Sequence, residues 1–158
     1  MTKSLTMQEL FELARDRSAE MFHETGEVLP MWHAVAGNGD NILIATPWCN
    51  DDEKDAAMHA LRALFASHQV KRYAFMVEAW MVVVDHGNID GVRTEGLPRP
   101  SEHPDRREML RVTVEDRSGE MLSGHYFILR PEHGKPTLSP FHTDDYTAVT
   151  GRMTGLLT

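Results

Sequence analysis

Apolar positions recur at two spacings along this chain, and the switches between them outline its elements. From Thr6 onward, Met7, Leu10, Phe11, Ala14, Met21 and Phe22 advance in steps of three and four, which gathers side chains on one face of a helix. Thr6-Met7-Gln8-Glu9 has the Thr-x-x-Glu form of a capping box, and Gly26 offers a left-handed stop, so a helix is predicted from Thr6 to about Glu24. Leu29 to Val35 and Ile42 to Thr46 are short strands. The residues between them, Ala36-Gly37-Asn38-Gly39-Asp40-Asn41, tolerate the positive φ of a hairpin turn. Asn50 then caps a second helix, with Asp51, Asp52 and Glu53 in the first turn, where the helix dipole favours negative charge. Its predicted apolar stripe is Ala57, Ala60, Leu61, Leu64 and Phe65.

Tyr73 to Val84 is apolar at nearly every position except Glu78 and reads as a central strand. Asp85 to Arg107, with three glycines and three prolines, reads as a long exposed loop. Leu110, Val112 and Val114 then alternate with Arg111, Thr113 and Glu115. Asp116-Arg117-Ser118-Gly119 turns the chain, and Met121 to Arg130 returns as a second hairpin. Toward the end, Thr143-Asp144-Asp145 could cap a short helix, which Thr147, Thr150, Gly151, Thr154 and Gly155 oppose. The order αββαβββ implies one α+β domain spanning residues 1–158: a mostly antiparallel five-stranded sheet with two helices packed on one face.

Composition narrows the function classes. With 41% apolar and 25% charged residues in 158, the chain can bury a core and is not expected to be disordered. The longest apolar run, Ala79 to Val84, is a strand's length, and the N-terminus has no apolar signal core, so neither membrane insertion nor secretion is expected. The lone Cys49 fits a reducing compartment, and the cytoplasm is the expected location. The net charge of -8 is concentrated in the first third, where residues 1–55 carry eleven acids against four Lys/Arg. Such a surface repels phosphate backbones, which argues against direct nucleic-acid binding and for basic protein surfaces as partners.

The candidate chemistry is sparse. Nine histidines raise the question of metal, yet no His-x-His or His-Glu-x-x-His spacing occurs, so no metal site or cofactor is expected. The strongest acid–base or metal cluster is Asp85 and His86 at the end of the central strand with Glu102, His103 and Asp105 from the long loop, His86 and His103 being the metal-ligand candidates. Glu78, in a run suited to burial, needs a partner: a neighbouring arginine such as Arg111 or a backbone donor would be structural, whereas proton transfer at a raised pKa would be functional. Cys49 precedes a helix, but Asp51, Asp52 and Glu53 disfavour its thiolate. Ser101, His103 and Asp105 include triad residue types without a nucleophile elbow, and Gly37-Asn38-Gly39-Asp40 opens no helix and is a turn. Trp80 is assigned to the core and Trp48 to the surface.

Val77-Glu78-Ala79-Trp80-Met81, then Arg99-Pro100-Ser101-Glu102-His103-Pro104-Asp105-Arg106-Arg107-Glu108, then Val114-Glu115-Asp116-Arg117-Ser118-Gly119 resemble a family of uncharacterised bacterial and phage proteins. The resemblance covers the central third and implies no known activity. It directs attention to Arg106 and Arg107 as partners of Glu102 or Glu78. The expected function is a non-catalytic binding or regulatory domain acting through protein–protein contact, with Trp48, Arg99, Arg106 and Arg107 as binding candidates. A small metal-dependent hydrolase with a His/Asp/Glu site and a structural subunit of a larger assembly are the alternatives.

Overall fold

The computed structural model describes residues 4–81, 107–144 and 156–157. Helix α1, Met7–Thr25, begins with the capping box: the Glu9 backbone N–H donates to Thr6 Oγ1 and the Thr6 N–H to Glu9 Oε1, both at 3.1 Å. It ends at Gly26, whose φ of 80° lets its N–H reach the Phe22 carbonyl at 2.7 Å. Strands β1, Met31–Val35, and β2, Asn41–Ala45, form the first hairpin. Asn50 caps helix α2, Asp51–Ser67, by accepting the Glu53 N–H at 2.8 Å. Strands β3, Arg72–Met81, β4, Arg107–Asp116, and β5, Met121–Leu129, follow, and two short strands close the described set: β6, Thr137–Leu138, and β7, His142–Thr143.

All the pairings are antiparallel, in the order β2-β1-β3-β4-β5-β6, with β7 also on β5. The predicted α+β class and element order therefore hold, and β3 lies between β1 and β4 as a central strand. The count is seven strands rather than five, because two-residue pieces after β5 bond to its outer edge.

The helices do not share a face. Successive side chains of a strand point to opposite sides of a sheet. Tyr73, Phe75 and Val77 of β3 pack with Trp32, Ala34 and the α2 residues Met58, Leu61 and Phe65, whereas Ala74 and Met76 pack with Leu110, Val112, Val114 and the α1 residues Leu10, Phe11, Ala14 and Phe22. A strand apolar at consecutive positions must be covered on both sides, and each helix takes one. The α2 stripe is Met58, Leu61 and Phe65, with Ala60 exposed.

Trp32 is fully buried and stacks on Phe75 with centroids 3.9 Å apart, while its indole N–H donates to Thr46 Oγ1 at 2.8 Å. Trp80 departs from its core assignment: it is 38% exposed, on the α1 side beyond the residues that α1 covers. Leu156 returns to the α2-side core and is buried there. Among the described residues no helix is long and apolar enough to cross a membrane.

Phe141 lies directly over Gly124 of β5. A Cβ at that position would come within 2.6 Å of Phe141 Cε1 and 2.8 Å of the His142 carbonyl oxygen, and neither ring nor backbone can yield cheaply. Gly124→Ala is expected to destabilise the protein by about 1–3 kcal/mol through overpacking, read from urea denaturation midpoints. An unchanged midpoint would show that Phe141 is not seated there.

Candidate functional site

The two helices are offset as well as opposed. The α1-side core reaches β5 through Ile128 and Tyr126, whereas the α2-side core reaches β2 through Ile42 and Ile44. Two quadrants of the sheet therefore lie beyond the helix cores. One carries a buried polar network and the other an open strand edge.

In the first quadrant, the α2-side face of β4 and β5 presents Arg111, Thr113 and Glu115 opposite His125, Ser123 and Met121. Thr113, Glu115, Ser123 and His125 are all buried, so each polar group needs a partner. Asp144 supplies two. Its Oδ2 accepts the Ser123 hydroxyl at 2.8 Å and its Oδ1 faces His125 Nδ1 at 3.0 Å, while its backbone N–H reaches the Ser123 carbonyl at 2.9 Å. Arg111 Nη2 approaches Ser123 Oγ at 3.5 Å, and the Tyr73 hydroxyl donates to Glu115. Burial, then the Glu115 carboxylate, pushes the Tyr73 phenol far above its ordinary range.

Asp144 orients the His125 ring through Nδ1, and the His142 ring stacks on it with centroids 5.4 Å apart. The arrangement is not a nucleophilic triad. In a Ser-His-Asp triad the hydroxyl bonds the ring nitrogen remote from the carboxylate, whereas Ser123 bonds the carboxylate itself.

A second buried histidine lies on the opposite face. His33 Nδ1 meets Arg17 Nη1 at 2.9 Å and Nε2 meets Asn41 Oδ1 at 2.8 Å. A guanidinium can only donate, so Nδ1 accepts and Nε2 carries the proton. Burial, and after it the Arg17 charge, hold this imidazole below the usual histidine range, against the opposing effect of the Asn41 hydrogen bond.

Of the residues singled out from the sequence, Asp85, His86, Arg99, Ser101, Glu102, His103, Asp105 and Arg106 lie outside the described residues. Glu78 is answered by the backbone: the Val28 N–H donates to its Oε2 at 2.7 Å. Its arginine is Arg130, at 3.8 Å, because Arg111 points to the other face. Burial raises the Glu78 pKa against those two contacts. Arg107 sits over the Phe127 ring, 3.7 Å from its centroid, on the face opposite Glu78. Trp48 is half-buried at the rim of the α2-side core, 6.5 Å from the Phe75 ring, with Lys54 Nζ 5.4 Å from its own. Cys49 is exposed. Among the described residues no three His, Cys, Asp or Glu side chains form a group able to hold a metal ion.

In the second quadrant, β2 ends the sheet. Ala36 N–H bonds the Asp40 carbonyl and Thr46 N–H the Pro30 carbonyl, so by the alternation of an antiparallel ladder Ile42 and Ile44 bond inward to β1. The backbone groups of Asn41, Leu43 and Ala45 point outward, unpaired among the described residues, and the Leu43 side chain is 56% exposed. From Asn41 to Ala45 the edge has no charge, no proline and no break in register, which are the usual guards against strand pairing. The other edge is built differently, from two-residue strands among Pro131, Lys135, Pro136 and Pro140.

Comparison with protein-family models, with curated proteins and with solved structures finds no match to this chain.

Two outcomes follow from the buried groups. Asp144→Ala strands two buried partners and is expected to cost about 1–3 kcal/mol by urea denaturation, with Asp144→Asn costing less because an acceptor survives. As for His33, a folded-state pKa below the ordinary 6.5 means that the unfolded chain takes up the proton first as pH falls. Its stabilisation is fully present above that value and is lost between it and the depressed folded value. Glu78, raised in the fold, acts in the opposite sense in both proteins, so the difference between wild type and His33→Phe isolates the histidine. Wild type should lose stability relative to His33→Phe as the pH falls through about 6.5 toward the depressed folded value. Parallel curves would contradict the neutral tautomer.

Proposed function

We propose that this chain is a protein-binding domain that takes an extended segment of a partner onto the open edge of β2. One observation carries the reading: the outward backbone of Asn41, Leu43 and Ala45 is left unguarded in a sheet whose opposite edge is broken up and proline-flanked.

The edge is also held rigid. Ile42 and Ile44 pack into the α2-side core, and Trp32 ties the far end of the hairpin to Thr46. A strand ordered in advance loses little entropy when a second strand joins it. In strand addition, main-chain hydrogen bonds supply affinity and alternate side chains supply selectivity; here Leu43 on one face and Ile42 and Ile44 on the other are the side chains that would make the selection.

The test uses a short synthetic peptide alternating valine and threonine, titrated into the 15N-labelled protein. Saturable shifts should centre on the Leu43 and Ala45 amides. Leu43→Pro, which removes an outward donor without touching the bonds to β1, should weaken binding at least about tenfold, the loss of roughly one to two main-chain hydrogen bonds. Binding unaffected by Leu43→Pro, or shifts centred elsewhere, would overturn the proposal.

A further inference from the structure

A basic cleft interrupts this acidic chain. The sequence carries 24 acids against 16 Lys/Arg, yet a cleft of about 520 Å³ beside the C-terminal end of α2 is lined by Arg62, Lys71 and Arg117 and by no carboxylate. Its apolar wall is Phe65 and Leu156, both buried, with the half-buried Leu157. We infer that this cleft binds a small phosphomonoester with an apolar or aromatic body, a role independent of the β2 edge.

Two guanidinium groups are available to the ligand. Arg62 makes no ion pair or hydrogen bond among the described residues. Arg117 has no carboxylate partner there either, and it is held in place: Nε and Nη2 both donate to the Val70 carbonyl, at 3.1 and 2.7 Å, and its backbone N–H donates to the Lys71 carbonyl at 2.9 Å. Of a guanidinium's five N–H donors that carbonyl takes two, which leaves three in the planar fork that suits phosphate. Lys71 adds charge, while its ammonium reaches Ser4 Oγ at 3.3 Å.

Compensation of the helix end is too small to explain these cations. The C-terminus of a helix carries about half a negative charge, and the last carbonyls of α2 are already used: Leu64, Phe65 and Ala66 accept from His68, Val70 and Gln69. Glu115, buried and bonded by the Tyr73 hydroxyl, stands behind Phe65 and adds one charge more. Asp116 pairs with Arg72, and Asp40 lines a neighbouring cleft that shares only Gln69 with this one. Three cations against those opposing charges leave roughly +1.5, which matches a phosphomonoester's charge of about -1.5 to -2 better than the single charge of a carboxylate.

Gln69 is a separate sign of use. Its φ of 51° places it in the left-handed position after a helix, where glycine is usual because a side chain is disfavoured. Gly37 gives it room, since a Cβ there would stand 3.0 Å from both the Gln69 Cβ and its carbonyl oxygen. The strained residue keeps in the cleft lining an amide that has no hydrogen-bond partner among the described residues.

The experiment titrates phenyl phosphate, benzoate and benzyl alcohol into the 15N-labelled protein in phosphate-free buffer. Phenyl phosphate should give saturable shifts at the Gly37, Gln69 and Arg117 amides and bind about tenfold tighter than benzoate, with benzyl alcohol weaker still. Arg62→Gln, which removes no bond of the fold, should weaken phenyl phosphate about three- to tenfold and leave the urea midpoint unchanged. Gln69→Gly should raise the midpoint by relieving the backbone and still weaken binding, a pairing that a purely structural role would not produce. Saturation at other residues, equal affinity for phenyl phosphate and benzyl alcohol, or binding unchanged in Arg62→Gln would overturn the inference. A phosphoserine peptide that bound the cleft more than about tenfold tighter than phenyl phosphate would assign it to a protein partner and overturn the small-molecule reading.

Discussion

The two-sided burial of β3 is the constraint on which the rest of the structure depends. Tyr73, Phe75 and Val77 face α2 while Ala74 and Met76 face α1, so the strand cannot slip by one residue without exchanging its two cores. Trp32, stacked on Phe75 and edge-on to Phe65, locks β1 to the same register, and β2 follows through the hairpin. Once β3 is fixed, α1 lies over the β4–β5 side and α2 over the β1–β2 side, on opposite faces. That diagonal arrangement produces the two quadrants in which polar or unpaired groups collect.

The quadrants solve different problems. On β4 and β5 the buried Ser123 and His125 are both served by Asp144 and Glu115 by Tyr73, so the network holds Asp144, just after β7, against the sheet. At β2 the unpaired groups are backbone donors and acceptors at the rim, held by a hairpin whose half-buried Ile42 and Ile44 pack against the α2-side core. His33 joins the rim to α1, because one ring nitrogen holds Asn41 of β2 and the other meets Arg17.

Local signals were legible in the sequence where they rest on local chemistry. Thr6 and Glu9 formed the capping box, Gly26 took the left-handed stop, Asn50 capped α2, and both hairpins paired. What escaped were the long-range consequences of layering. The run from Tyr73 onward implies burial on both faces, yet the element order alone suggests two helices on one face and does not say which helix covers which side. Arg111, Thr113 and Glu115 alternate with apolar residues as a solvated face would, but Thr113 and Glu115 are buried. Asp144 lies 19 residues from His125, and no spacing rule joins them. Glu78, in a run suited to burial, needs a partner, but its arginine, Arg130, comes from beyond β5. The openness of β2 depends on strand order, which no local pattern encodes.

The exposure of the β2 backbone can be measured directly by amide hydrogen exchange on the isolated protein. The Leu43 and Ala45 amides should exchange fast while those of Ile42 and Ile44, bonded to β1, exchange slowly, giving an alternation along a single strand. Uniform protection from Ile42 to Ala45 in a monomer would mean that the rim is already covered, and the binding role assigned to it would be wrong.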